Sequence, residues 1–130
     1  MTEFIPVNEP LIGEKEKELV LNCLNTGWIS SEGSYVKEFE KKFSGNINKK
    51  YGIACSSGTA ALEIALASLD LNPGDEIILP TFTIISCAAA IVKAGATPVV
   101  VDCDPSTFNA KPEDVISAVT EKTVAIMIVH

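Results

Sequence analysis

The sequence is poor in the features that mark nucleic-acid binding, metal chemistry or membrane insertion. Ten basic side chains face seventeen acidic ones, a formal charge of −7 over 130 residues. Nucleic acid and anionic membrane surfaces would both repel such a chain, and its densest basic stretches are only the pairs Lys41-Lys42 and Lys49-Lys50. The single histidine is the last residue, His130, and the four cysteines, Cys23, Cys55, Cys87 and Cys103, form no Cys-x-x-Cys. Neither a zinc ligand set nor a redox pair is indicated, so no metal site is expected. Each cysteine lies in or beside an apolar run and reads as a buried structural thiol. No apolar run reaches the roughly 20 residues that span a bilayer, and the start Met1-Thr2-Glu3-Phe4 is acidic where a signal peptide is basic. A cytoplasmic protein is expected. Two phosphate signatures are missing as well: there is no Gly-x-x-x-x-Gly-Lys-Ser/Thr, and no Gly-x-Gly-x-x-Gly follows a strand.

What is present is apolar and alternating. With 47% apolar and 21% charged residues, the chain has the size and composition to bury one core. After an extended lead-in, Ile5-Pro6-Val7-Asn8-Glu9-Pro10, helical spacing of Leu19, Val20, Cys23 and Leu24 predicts a helix from Gly13 to about Asn25. The loop Trp28-Ile29-Ser30-Ser31-Glu32-Gly33 carries the only tryptophan, which either lines a site or plugs the gap beneath the loop. A second helix is expected from Ser34 to Phe43, with Val36, Phe39 and Phe43 on one face, then a polar connector, Ser44–Lys50.

From Tyr51 onwards strands and helices alternate. Strands are expected at Tyr51–Cys55, Glu76–Pro80, Pro98–Asp102 and Thr123–Val129, and helices at Thr59–Leu69, Ser86–Ala94 with Gly95 as its C′ residue, and Pro112–Val119. Runs such as Val99-Val100-Val101 show no polar alternation, as parallel strands covered on both faces require. The fold class is therefore α/β, a mostly parallel sheet with helices on both faces. Ligands on such sheets bind beyond the carboxyl ends of the strands. Ser56–Thr59, Thr81–Thr83, Asp102–Asp104 and His130 all fall there.

Ser56-Ser57-Gly58-Thr59 marks the change from a short apolar strand to an Ala/Leu-rich helix. Unpaired N–H groups and the positive end of the helix dipole meet there, Gly58 admits a close ligand, and the Ser57 and Thr59 hydroxyls add donors. A phosphate monoester suits these groups; the alternative is that Ser57 only caps the helix.

The ordered set Ile5-Pro6-Val7 with Pro10, Thr26-Gly27-Trp28-Ile29-Ser30-Ser31-x-Gly33, Val36-x-x-Phe39-Glu40-x-x-Phe43, Ser57-Gly58-Thr59-Ala60-Ala61-Leu62, Gly74-Asp75-Glu76-Ile77-Ile78, Pro80-Thr81-x-Thr83, Gly95-Ala96-Thr97-Pro98-Val99, Val101-Asp102 and Ala125-Ile126-Met127-x-Val129-His130 resembles the pyridoxal phosphate-dependent sugar aminotransferases of the DegT/DnrJ/EryC1/StrS family, especially the perosamine synthetase-like members. The resemblance implies the N-terminal part of a fold-type I large domain. It divides the chain into an N-terminal helical arm, 1–50, and the first half of the cofactor-binding domain, 51–130, truncated. It implies an amino transfer, usually from glutamate, to a nucleotide-linked 4-keto-6-deoxy sugar, with GDP favoured, in a homodimer. Ser57, Gly58 and Thr59 would hold the phosphate of pyridoxal 5′-phosphate. Ile84 stands where the family places an aromatic against the pyridine ring, with Phe82 as a substitute. Trp28, Ile29 and Ser30 match a loop on the sugar-nucleotide side.

Such chemistry needs a lysine to bind the cofactor covalently and a carboxylate on its ring nitrogen. No lysine of the chain is expected at the ligand edge of a strand, and Asp102, which is, reads equally as part of an Asx turn with Asp104-Pro105. No catalytic residue is therefore expected within the chain, because the family's lysine and carboxylate lie beyond His130. Two readings follow: a portion of a sugar aminotransferase, or a truncated, non-catalytic fragment that only associates with a complementary or homologous chain.

Overall fold

The structure, a computed structural model, describes residues 4–129 and divides into two compact units, Met1–Ala54 and Cys55–His130. His130, expected at the ligand edge, and the acidic start Met1–Glu3 lie outside the described residues.

The first unit holds α1, Glu14–Thr26, and α2, Ser34–Asn46. At the start of α1 the Glu16 carboxylate accepts the Gly13 N–H at 2.8 Å, satisfying a donor that a helix start leaves orphaned. The helix ends at Gly27, whose φ of +74° is the left-handed conformation that closes a last turn. Leu19, Val20, Leu21 and Leu24 are all exposed on it. α2 runs past Phe43 into the expected connector. Ser44 is buried and its hydroxyl donates to the Lys41 carbonyl at 3.2 Å, so this polar residue is satisfied inside the helix.

Tyr51–Cys55, expected as a strand, is not one. A strand exists only through a ladder of partners, and the three strands of the sheet pair with one another instead. The segment is docked on α2: the Ala54 N–H donates to Glu40 Oε1 at 2.9 Å, and Gly52 lies against the Glu40 backbone.

In the second unit α3, Gly58–Ala67, is followed by β1, Glu76–Pro80, α4, Ile85–Lys93, β2, Thr97–Val101, α5, Pro112–Ser117, and β3, Thr123–Ile126. The sheet is parallel throughout in the order β2-β1-β3, with Ile78 opposite Val99 and Ile126. Successive β1 side chains point to opposite faces. Ile77 and Leu79 therefore pack with Leu66 of α3 and with Cys87, Ala90 and Ile91 of α4, while Ile78 packs with Val101 and with Val115 of α5. Helices cover both faces, as the unbroken apolar runs require. Ile77, Ile78, Leu79 and Ile91 are the largest fully buried side chains, and each contributes roughly 1.5–3 kcal/mol.

The connections follow local chemistry. Asn72-Pro73-Gly74-Asp75 turns the chain into β1, with the Asp75 N–H donating to the Asn72 carbonyl at 3.1 Å and Gly74 at φ +96°. Gly95, at φ +88°, ends α4: its N–H bonds Val92 O and the Ala96 N–H bonds Ile91 O, the paired bonds of a Schellman motif. β3 stops at Ile126, short of the expected Val129, with one further bond from the Met127 N–H to Ile78 O at 2.8 Å. Only Cys87 of the four cysteines is buried; Cys23, Cys55 and Cys103 are half-buried, and none is joined in a disulfide. Their apolar neighbours in sequence are themselves largely exposed, Leu24 and Ile53 among them, so an apolar run did not guarantee burial.

Candidate cofactor site

α3 begins at the Ser-Ser-Gly-Thr turn. Ser57 is the N-cap, its Oγ accepting the Ala60 N–H at 3.2 Å while its carbonyl accepts the Ala61 N–H at 3.0 Å. The capping role is therefore real, and it does not exhaust the site. The hydroxyl proton of Ser57 remains a donor, as does that of Thr59, and the Gly58 and Thr59 N–H groups belong to the first turn, where a helix offers no acceptor. No acidic residue stands in that turn to compete with an anion. Ser56 to Thr59 are all exposed, and a Cβ on Gly58 would meet nothing within 4 Å, so the space before the turn is open to a group that approaches the backbone. What the turn itself offers to a charge is backbone and hydroxyl donors with the helix dipole. This donor set fits a phosphate monoester dianion.

Ile84 is the N-cap residue of α4 and is 68% exposed. α3 and α4 pack on the same face of the sheet through Leu66, Cys87, Ala90 and Ile91, which places the Ser57–Thr59 turn and Ile84 at the starts of two neighbouring helices. Ile84 also lines a cleft of about 480 Å³ with Phe82, Thr83, Thr107, Phe108, Asn109 and Val129. Phe82 does not extend β1, which ends at Pro80; its ring lies against that of Phe108, centroids 4.9 Å apart. The strand extension on which Phe82's role as a substitute for the aromatic at Ile84 depends is therefore not there. Thr83 donates its hydroxyl to Cys87 Sγ at 3.2 Å.

Asp102 and Asp104 stand in the β2–α5 connection. Asp102 Oδ1 accepts the Thr81 hydroxyl at 3.3 Å and the Cys103 N–H at 2.8 Å, tying the carboxyl ends of β1 and β2 together. Asp104 makes the Asx turn. The Ser106 hydroxyl, then the Ser106 and Thr107 N–H groups, hold its carboxyl below the usual carboxylate range. Lys111, expected merely at a helix end, stands in this same connection on the carboxyl side of the sheet, its Nζ 3.9 Å from Asp104. The sequence concealed this, because Pro112 at the helix start drew attention to α5 rather than to the loop before it.

Trp28, Ile29 and Ser30 belong to the first unit, in the loop between α1 and α2. The Gly33 N–H returns to Ser30 O at 3.1 Å, and Gly33 is buried beneath the loop, where a Cβ would lie 3.3 Å from Ser30 O. Trp28 is 58% exposed, so within its unit it does not plug the loop. All three residues line a cleft of about 460 Å³ with Asn22 and Tyr35, whose hydroxyl donates to Asn22 Oδ1 at 3.2 Å. No group of histidine, cysteine and carboxylate side chains among the described residues could hold a metal ion, and no helix among them is long and apolar enough to cross a membrane.

Known proteins share this arrangement. The GDP-perosamine synthase of Escherichia coli O157:H7 is 44% identical over 128 residues, 98% of this chain and 35% of that protein. A Streptococcus pneumoniae structure in its pyridoxal phosphate form superposes with a TM-score of 0.84 at 38% identity, covering 94% of this chain and 31% of its own. The Escherichia coli GDP-4-keto-6-deoxy-D-mannose-3-dehydratase with bound hydrated cofactor gives 0.85 at 29% identity, over 95% and 33%. The chain thus spans about a third of the length of the proteins it matches. The model of the DegT/DnrJ/EryC1/StrS aminotransferase family matches residues 10–130, from the lead-in to α1 through the Ser57–Thr59 turn and the parallel sheet, and the chain belongs to that family.

Proposed function

We propose that the protein carrying this chain is a pyridoxal phosphate-dependent aminotransferase that acts on a GDP-linked 4-keto-6-deoxy sugar, with glutamate as amino donor, as a homodimer. The observation that carries this reading is the 44% identity to a GDP-perosamine synthase over 98% of the chain. When bound, the cofactor supplies an electron sink for moving an amino group. The residues present have definite tasks. The Gly58 and Thr59 N–H groups and the Ser57 and Thr59 hydroxyls receive the phosphate, and Ile84 offers an apolar contact where an aromatic would stack on the ring. Trp28, Ile29 and Ser30 are assigned to the sugar nucleotide, for which the exposed indole offers an apolar surface. Four cysteines outside any disulfide and a net negative charge suit a reducing compartment, the cytoplasm.

Incubation of the protein carrying this chain with cofactor, glutamate and either GDP- or dTDP-linked 4-keto-6-deoxy sugar tests the reading. Amination of the GDP sugar is expected. Turnover of simple keto acids with neither sugar accepted would sink it.

A further inference from the structure

We propose that Phe108 is a positioning residue for Ile84, acting through the ring of Phe82, an inference that rests on the reading of Ile84 as the apolar contact of the cofactor ring. The chain turns from β1 into α4 over residues 81–84. There the Thr83 N–H donates to Thr81 O at 3.1 Å, which closes the turn around Phe82 and leaves that residue at its tip. Thr81 is tied to the Val101 carbonyl and to Asp102, and Thr83 to Cys87 Sγ. Phe82, between them, is 61% exposed, and the ring it meets is that of Phe108, with centroids 4.9 Å apart and planes tilted by 34°. Ile84 follows in the same short turn and lines the same cleft as both rings.

Phe108 takes an unusual backbone to be there. Its φ is +60°, the left-handed region in which an L side chain crowds the following carbonyl and which Asn or Gly enters far more readily. Asn109 is the next residue, yet the aromatic holds the position. The loop closes on itself around it: the Phe108 N–H donates to Asp104 O at 2.7 Å, the Asp104 N–H to Asn109 O at 2.9 Å, and Cys103 bridges to Ala110. A strained residue persists only where its surroundings over-determine it, and such residues gather at functional sites. The Phe108 ring is 52% exposed, so burial in the core is not what the conformation serves. It sets an aromatic face against Phe82, and such pairs prefer defined offsets and tilts because their quadrupoles do. Removing the ring frees the tip of the turn, and with it the direction of Ile84. Phe108 touches no cofactor atom in this scheme; it acts through Phe82.

The test titrates the protein carrying this chain with pyridoxamine 5′-phosphate, which has no aldehyde for covalent capture, and with inorganic phosphate, which lacks the ring. Because damage to folding or to the phosphate anchor weakens both, the readout is the ratio of the two affinities. Ile84→Ala is expected to lower it. Phe108→Ala and Phe82→Ala are each expected to lower it about threefold, and the double variant no further than either alone. Phe108→Tyr keeps the ring and should keep the ratio. Should Phe108→Ala fail to fold, Phe108→Gly, which adopts a φ of +60° without strain, carries the same expectation. An unchanged ratio in the Ala or Gly variant, a Tyr variant as impaired as these, or losses that add in the double variant overturns the positioning role. An Ile84→Ala protein with the wild-type ratio overturns the ring contact itself and the inference with it.

Discussion

A Cβ on Gly52 would stand 2.6 Å from the carbonyl oxygen of Glu40. The contact is backbone to backbone, with no flexible side chain to yield, so Gly52→Ala must push the segment away from α2. A loss of about 1–3 kcal/mol is expected, read as a lower urea midpoint of the protein carrying this chain. An unaltered midpoint would show that the segment is free to lift.

Thr59→Ala should weaken pyridoxal 5′-phosphate binding by about 1.5–3 kcal/mol, the value of a hydrogen bond to a charged group, while Thr59→Ser retains most of the affinity. Direct titration of the cofactor checks this, and equal affinity in the Ala variant removes Thr59 from the site.

Two glycines should respond in opposite senses. Gly95 sits at φ +88° in the Schellman end of α4, so Gly95→Ala forces an L side chain into the left-handed region at about 1–2 kcal/mol. Gly45 lies within α2 with nothing within 4 Å of an added Cβ, so Gly45→Ala should gain about 0.5–1 kcal/mol. Thermal denaturation of the two variants distinguishes them, and a shift of the same sign in both contradicts the assignment.

The Asp104 carboxyl is held below its ordinary range by the Ser106 hydroxyl and the N–H groups that follow. A group whose pKa is lower folded than unfolded stabilises above the unfolded value, near 3.9, and loses that stabilisation as pH falls through the folded value. The deficit of Asp104→Asn relative to wild type should therefore be full at pH 7 and shrink on acidification below about pH 4. Melting curves at both pH values check it; a deficit that persists unchanged in acid would assign the effect to lost geometry rather than charge.

Much of the fold is written locally. Ser57 before an Ala/Leu run, Pro73-Gly74 before β1, Gly95 after Lys93 and the unbroken Val99-Val100-Val101 each dictate backbone geometry from a few neighbours. Cap, turn, helix end and parallel strand all stand where such residues place them. The donors of the Ser57–Thr59 turn were legible for the same reason: a helix start exposes its N–H groups whatever surrounds it.

What the sequence by itself determined, then, is the alternation of strand and helix and the chemistry of one turn, because caps, glycines and apolar periodicity act over a handful of residues. Tertiary structure alone decided that Tyr51–Cys55 docks on α2 rather than joining the sheet, that β1 lies between β2 and β3, that Phe82 meets Phe108, and that Lys111 faces Asp104. Those outcomes depend on partners distant in the chain. An apolar five-residue segment carries the same local preference whether its amides meet a neighbouring strand or, as at Ala54, the carboxylate of Glu40.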